Sequence, residues 1–254
     1  MGLALARRLT MKGYRVLGID PDPERRQVWT ILSRQKAAAL ASEVPWREVD
    51  RVLVVVRLPS HVEATLPEIV GCLAAADRRA VPVHVITTLT PEEARRIPAH
   101  SHPAVRLIED PVTGGEPPAL QGIQTAMLAG EFEDSDIVFL KESLMEEVVT
   151  FSSYGEPALV KLLNNLACSY NLAVFGTVLK LGVDAGLEPA KLHRVINRGS
   201  GSSFSSRAAI EIIGDLLTKD VAQAVEAVGE PPLVSATGVE EHLRKVREIL
   251  ARPR

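Results

Sequence analysis

The sequence predicts an α/β protein in two parts, a doubly wound parallel sheet followed by an all-helical domain. Three observations carry this. Short β-branched runs alternate with helical patterns up to about residue 150, which is the spacing of strand-helix-strand units. Arg51-Val-Leu-Val-Val-Val-Arg57 is an unbroken apolar run, as a strand buried on both faces of a parallel sheet requires. Beyond about residue 152 the strand signals stop. Only helical patterns remain, broken at Gly186-Leu-Glu-Pro189, Arg198 to Ser203 and Gly229-Glu-Pro-Pro232. The chain therefore divides into a sheet domain, residues 1–152, and a helical domain, residues 153–254.

Taken in order, Leu3 to Lys12 has apolar residues at helical spacing, and Gly13 ends it as a C-terminal cap. Tyr14 to Asp20 reads as a strand with an acidic end, and Pro21-Asp-Pro turns the chain into a helix over residues 24–41. After the run at 51–57, Leu58-Pro59-Ser60 punctuates the chain, with Ser60 as the expected N-cap of a helix to Ala76. Val81–Thr87 is the next strand, with Thr87, Thr88 and Thr90 at its carboxyl end, and Pro91 opens a further helix. Val105–Glu109 is a strand whose exit loop is Asp110-Pro-Val-Thr113-Gly114-Gly115, and Thr125–Ala129 is another strand. Ligands of open α/β sheets bind at the carboxyl ends of the strands. Those ends here are Asp20, Leu58-Pro59, Thr87-Thr88 and residues 110–115.

The bulk properties exclude several classes. With 46% hydrophobic and 24% charged residues over 254 positions, the composition is that of a soluble globular chain. A net charge of −3 gives no overall basic field for nucleic acid or a membrane surface. Cys72 and Cys168 lie far apart without metal-ligand spacing, so the expectation is a reducing, cytoplasmic setting and no metal site. No signal-peptide core opens the chain. Leu162 to Leu181 has the length of a membrane span, but Asn164, Asn165, Ser169, Asn171, Thr177 and Lys180 interrupt it, which predicts a buried core helix instead.

That helix carries Lys161 and Asn165, four residues apart and so on one face, among Leu159, Leu162, Leu163 and Leu166. Two readings fit the spacing. Lys161 snorkels from the helix start, or it is a desolvated amine whose pKa has moved toward neutrality, as acid-base chemistry needs. Gly2 and Asp20 are a weaker pair, a helix-start glycine with an acidic residue 18 positions on. That spacing suits a ribose-binding carboxylate or a simple Asp-Pro turn.

Residues 2–20 resemble the stretch Gly-x-x-x-Ala-x-x-Leu-x-x-x-Gly-Tyr-x-Val-x-x-x-Asp of the β-hydroxyacid dehydrogenases. This group contains 3-hydroxyisobutyrate dehydrogenase, tartronate semialdehyde reductase and, more distantly, 6-phosphogluconate dehydrogenase. Asp110 to Gly115, followed by Ala119, Gly122 and Met127, is similar to the family's Asp-x-Pro-Val-Ser-Gly-Gly signature. Lys161 and Asn165 match its Lys-x-x-x-Asn motif, Asn197 to Phe204 its Asn-x-Gly-Ser-Gly loop, and Lys219-Asp220 its late Lys-Asp pair. The resemblance implies a Rossmann-type sheet domain and an oxidoreductase that interconverts a small 3-hydroxy acid and its semialdehyde. Lys161 would be the general acid-base and Asn165 its companion. Thr113, Gly114 and Gly115 would bind the substrate carboxylate, and Gly2, Asp20, Leu58, Pro59, Thr88 and Lys219 the cofactor. Asp20 would repel a 2′-phosphate, so NAD is expected with NADP as the alternative, although Arg25-Arg26 stand nearby. Partners are a small carboxylate-bearing hydroxy acid and further copies of the chain, most simply as a dimer.

The family pattern opens with a strand and Gly-x-Gly ahead of Gly2; the sequence starts at Met1, and the expectation is a reading frame that begins upstream. Pro157 stands where the family usually has Gly, a tolerated first-turn position. Only 14 residues separate Ser205 from Lys219, which implies a trimmed helical domain. A degenerate, non-catalytic binding or dimerisation module is therefore the competing reading. An imine reductase is a weaker one, since those enzymes generally replace the Lys.

Overall fold

The computed structural model describes residues 1–209, 214–230 and 244. The chain begins with α1 (Gly2–Met11), β1 (Gly18–Ile19), α2 (Pro23–Ser33) and β2 (Ala37–Ala38). β1 and β2 pair in parallel as a two-stranded ribbon, apart from the main sheet. The strand expected over 14–20 is thus only its last part, and the helix expected to Ala41 ends at Ser33. Arg34 takes a left-handed conformation and stops the helix, and the alanines beyond it pair with β1, a tertiary contact overriding their helix propensity.

The main sheet holds β3 (Val52–Val54), β4 (Val81–Val85), β5 (Val105–Glu109), β6 (Val112–Thr113), β7 (Gln124–Gly130) and β8 (Met145–Thr150). β3, β4 and β5 run in parallel, so their carboxyl ends share one edge. β7 runs antiparallel to both β5 and β6 in one continuous register, with Ile108 opposite Gly130 and Thr113 opposite Thr125. The Met127 N–H donates to the Pro111 carbonyl across the break between β5 and β6. The sheet is therefore mixed, because the chain returns through the short α5 (Glu116–Gln121) without a full crossover. β8 completes the far side, parallel to β7.

Helices cover both faces. On one, α3 (Pro59–Ala75) places Val62, Leu66, Ile69 and Leu73 against Val54, Val83, Val85 and Leu107. On the other, Leu5 and Leu9 of α1 and Leu140 of α6 (Asp134–Ser143) pack on Ile86, Ile108 and Leu128. The α3 start corrects one expectation: Leu58 is its N-cap and Pro59 its first residue, so Ser60 lies inside the helix and caps nothing. Thr90 does cap, closing a capping box with Glu93 at α4 (Pro91–Ala94).

The helical part comprises α7 (Glu156–Asp184), α8 (Pro189–Arg198), α9 (Phe204–Arg207) and α10 (Gly214–Val228). α7 has 29 residues and is long and apolar enough to cross a membrane by length and composition. The sequence predicts a buried core helix here, and the structure corrects this: most of α7 is not buried. Only Pro157, Ala158, Leu162 and Phe175 are buried, because the sheet receives its first turns and the rest projects beyond. Val174 and Leu181 are 63% and 64% exposed.

Candidate active site

Lys161 sits at the second turn of α7 and is partly buried. Burial pushes the ammonium pKa below its usual value; the nearby Asp220 carboxylate and Cys168 oppose that fall, and Lys219 adds to it. An amine held this way exchanges a proton more readily than a surface lysine.

One turn on, Asn165 Nδ2 donates to Asp220 Oδ2 at 2.6 Å. Lys219 Nζ lies 3.1 Å from Asp220 Oδ1. α10 thus brings Lys219 and Asp220 up to the Lys161 and Asn165 face of α7, and Asp220 is the group both sides share. The loop from Asn197 serves structure: Ser206 Oγ donates to Asn197 Oδ1 at 2.6 Å, and Asn197 Nδ2 donates to the Ser206 carbonyl.

Gly114 and Gly115 have φ of +113° and +79°, which disfavours any residue with a Cβ. At Gly114 a Cβ would also stand 3.1 Å from Pro118 Cβ. Thr113 precedes them as the end of β6. Gln124, buried beneath the loop, donates from Nε2 to the Gly115 carbonyl at 2.9 Å. The described hydrogen bonds tie Thr113 to Gly115 into β7, and Asn165 to α10; none joins the two groups directly.

The remaining candidates lie at the start of α1 and past β1, β3 and β4. Gly2 opens α1, where a Cβ would sit 3.5 Å from Val55, just past β3. Asp20 follows β1; its Oδ1 accepts the Asp22 N–H, and Oδ2 stands 3.8 Å from Arg25 Nη1. Arg26 is turned onto the carbonyls of Asp20 and Pro21. Leu58 and Pro59 begin α3, and Thr88 lies beyond β4. Its neighbour Thr87 is buried and exchanges hydrogen bonds with the Val56 backbone, so it fastens β4 to β3 and is taken up structurally. A glycine at the α1 start, an acidic side chain past β1, the Leu58-Pro59 helix start past β3 and a threonine past β4 fit the outline of a dinucleotide site.

Sequence reasoning missed two buried groups, Glu109 and His84. Glu109 accepts hydrogen bonds from the backbone of Gly155 and Ala158 at the start of α7. Counting back from Pro111, the acidic position of an Asp-x-Pro pattern falls on Glu109, so that spacing was the available signal. Asp110 points to the other sheet face, where its Oδ2 meets His84 Nδ1 at 2.8 Å. Arg51 Nη1 faces His84 Nε2, so Nε2 accepts and Nδ1–H donates to Asp110.

Comparison with known proteins agrees with this architecture. Residues 1–142, more than half of the chain, match the family model for the NAD binding domain of 6-phosphogluconate dehydrogenase. The chain belongs to that family. Residues 155–237 match a second model, the NAD-binding domain of NADP-dependent 3-hydroxyisobutyrate dehydrogenase. A 2-(hydroxymethyl)glutarate dehydrogenase of Eubacterium barkeri is 27% identical over 173 residues, covering 62% of this chain and 56% of that protein. The chain thus spans little more than half the length of that relative. A 3-hydroxyisobutyrate dehydrogenase of Pseudomonas aeruginosa is 26% identical over 210 residues, 81% of this chain and 68% of its own length. The crystal structure of a 3-hydroxyisobutyrate dehydrogenase from Salmonella typhimurium superposes with a TM-score of 0.78 at 19% identity, covering 97% of this chain and 91% of that one. This last likeness shows a shared fold.

Proposed function

We propose that this protein is an NAD(P)-dependent oxidoreductase that interconverts a small 3-hydroxy acid and its semialdehyde or oxo acid. The observation that carries this is Lys161, a buried amine of lowered pKa one turn from Asn165 and beside Asp220. Lys161 takes the hydroxyl proton when the alcohol is oxidised and returns it to the carbonyl oxygen in the reverse direction. Asn165, held by Asp220, orients the oxygen. The Gly114 and Gly115 backbone and the Thr113 hydroxyl receive the substrate carboxylate. A nicotinamide held there would supply or accept the hydride at the same carbon. Gly2, Asp20, Leu58, Pro59, Thr88 and Lys219 hold the cofactor. Asp20 favours NAD over NADP, since Arg25 is engaged with Asp20 and Asp22. The retained Lys speaks against the imine reductase reading.

We also place the protein in a reducing, cytoplasmic setting as a homo-oligomer. Cys72 and Cys168 are free thiols. Val174, Val178 and Leu181 form an exposed apolar stripe on α7 that suits a second copy.

The test measures NADH binding by the full chain, then turnover of 3-hydroxyisobutyrate, L-serine and L-threonate by wild type and Lys161→Ala. We expect Lys161→Ala to abolish turnover with NADH affinity unchanged within about two-fold. No NADH binding would overturn the proposal, and retained turnover would remove Lys161 from its role. Binding without turnover of any hydroxy acid would support the non-catalytic module.

A further inference from the structure

The start of α7 lacks a cap of its own. The N-cap residue, Gly155, has no side chain to offer, yet a helix leaves its first N–H groups without internal partners. The missing acceptor arrives from 46 residues earlier in the chain. Glu109, the last residue of β5, is 1% exposed. Its Oε2 accepts the Gly155 N–H at 2.6 Å and its Oε1 the Ala158 N–H at 2.8 Å. The approach is tight: Gly155 has φ of +92°, and a Cβ there would stand 2.8 Å from the Pro91 carbonyl. Tyr154, just before it, donates its hydroxyl to the Leu107 carbonyl of the same strand.

This carboxylate occupies a particular place in the chain. Four residues after it comes Thr113, and then Gly114 and Gly115. Three residues after its second partner, Ala158, comes Lys161, about 4.5 Å further along the helix axis. A displacement of the α7 start therefore moves Lys161 as a rigid unit. Lys161 and the Gly114-Gly115 loop are on different elements, and Glu109 connects the strand leading to one with the helix carrying the other.

We infer that Glu109 is a positioning residue that registers Lys161 against the Thr113 to Gly115 loop by capping the helix on which Lys161 stands. The inference rests on the reading of Lys161 as the proton-transfer group. Burial pushes the Glu109 carboxyl up to about 7, against the downward pull of the Gly155 and Ala158 N–H groups and Arg95, with Glu156 adding to the rise. The charged and titratable groups facing it are thus Arg95 beyond α4, Glu156 on α7 and Tyr154. Ionised, Glu109 accepts both N–H groups; protonated, it turns a hydroxyl toward one of them. Positioning therefore strengthens as pH rises through about 7. Fold stability runs the opposite way. A carboxyl whose pKa is raised on folding contributes stability that is full below its unfolded value and is lost as pH rises through its folded one. This opposition separates positioning from mere support.

The experiment uses the full chain as wild type and Glu109→Gln. Amide NMR shifts of Gly155 and Ala158 are followed from pH 5 to 9, alongside the rate at which acetic anhydride acetylates Lys161, read by mass spectrometry. Wild-type amides titrate together near pH 7, and Glu109→Gln abolishes that titration, changes Lys161 acetylation at least three-fold and lowers kcat at least ten-fold. The acid limb near pH 7 disappears from its kcat profile, while KM for the cofactor stays within two-fold. Amides that do not titrate in wild type would overturn the inference, even if Glu109→Gln failed to fold. So would a folded Glu109→Gln with wild-type Lys161 reactivity and kcat profile. If the amides titrate and Lys161 reactivity depends on Glu109 but wild type turns over no hydroxy acid, the positioning stands and the proposed activity falls.

Discussion

Asp136 offers the sharpest stability test, because so much converges on one buried carboxylate. It is fully buried at the start of α6. Arg51 Nη1 donates to Oδ1 at 2.5 Å, Arg106 Nη1 to Oδ2 at 2.6 Å, and the Glu133 N–H to Oδ2 at 2.9 Å. Burial alone would raise its pKa, but the bonds from Arg106, Glu133 and Arg51 together outweigh burial and hold it at about 2. Measured from an ordinary 3.8, that is a net preference for the ionised form on the order of 2 kcal/mol at 1.36 kcal/mol per pH unit. Asp136→Asn keeps the shape and loses the charge, so it should cost about 2 kcal/mol. Asp136→Ala also leaves two half-buried guanidiniums without an anion, for which roughly 3–5 kcal/mol is the expected loss. Urea denaturation at pH 7 measures both. The pH dependence supplies a second reading. A depressed carboxyl contributes stability above its unfolded pKa and loses it as pH falls through its folded one. Wild type should therefore lose about 2 kcal/mol between pH 4 and 2 that Asp136→Asn does not lose. A loss below about 1 kcal/mol for Asp136→Ala would refute the reasoning, since the network would then be held by packing alone.

Two further outcomes follow from the geometry. Gly155→Ala places a Cβ 2.8 Å from a backbone carbonyl at φ of +92°. Left-handed backbone alone costs about 1–2 kcal/mol, so a lowered urea midpoint is expected, and an unchanged one would mean that α7 starts differently. Asp20→Ser should shift the ratio of NADPH to NADH affinity toward NADPH by about ten-fold, or 1.4 kcal/mol. An unchanged ratio in titrations followed by fluorescence would remove Asp20 from the ribose end of the site.

The parts of the fold that were legible in the sequence are those where local pattern and tertiary packing agree. The runs around Val52, Val81 and Val105 are β-branched and each forms a strand; β4 is buried throughout and β5 nearly so, whereas the run expected over 51–57 forms only the three-residue β3, where Val54 alone is buried. Disagreement hid the others. Ala37-Ala38 reads as helix by propensity but pairs with Gly18-Ile19. Met145 to Thr150 carries Glu146 and Glu147 and is half solvated at the sheet margin, so neither an apolar run nor a clean alternation announces it. The length and apolar content of α7 were plain, but its burial depends on which surfaces meet it, and only its first turns reach the sheet.

The candidate site divides along the same line. Lys161 and Asn165 could be paired from sequence because helix periodicity fixes their relative direction. Gly114 and Gly115 could be singled out because positive φ selects glycine. Glu109, His84 and Asp136 were not legible, since each acts on a partner from a distant element: Glu109 on α7, His84 on Asp110, Asp136 on Arg51 and Arg106. In an alternating strand these neighbours are also easily confused. Glu109 and Asp110 are adjacent acids that point to opposite faces of the sheet, one toward the Lys161 helix and one toward His84. A single-residue slip in matching the motif therefore exchanges a helix cap for a buried His partner. The strand alternation assigns the two roles, and the position two residues before Pro111 holds the acid that reaches the proton-transfer helix.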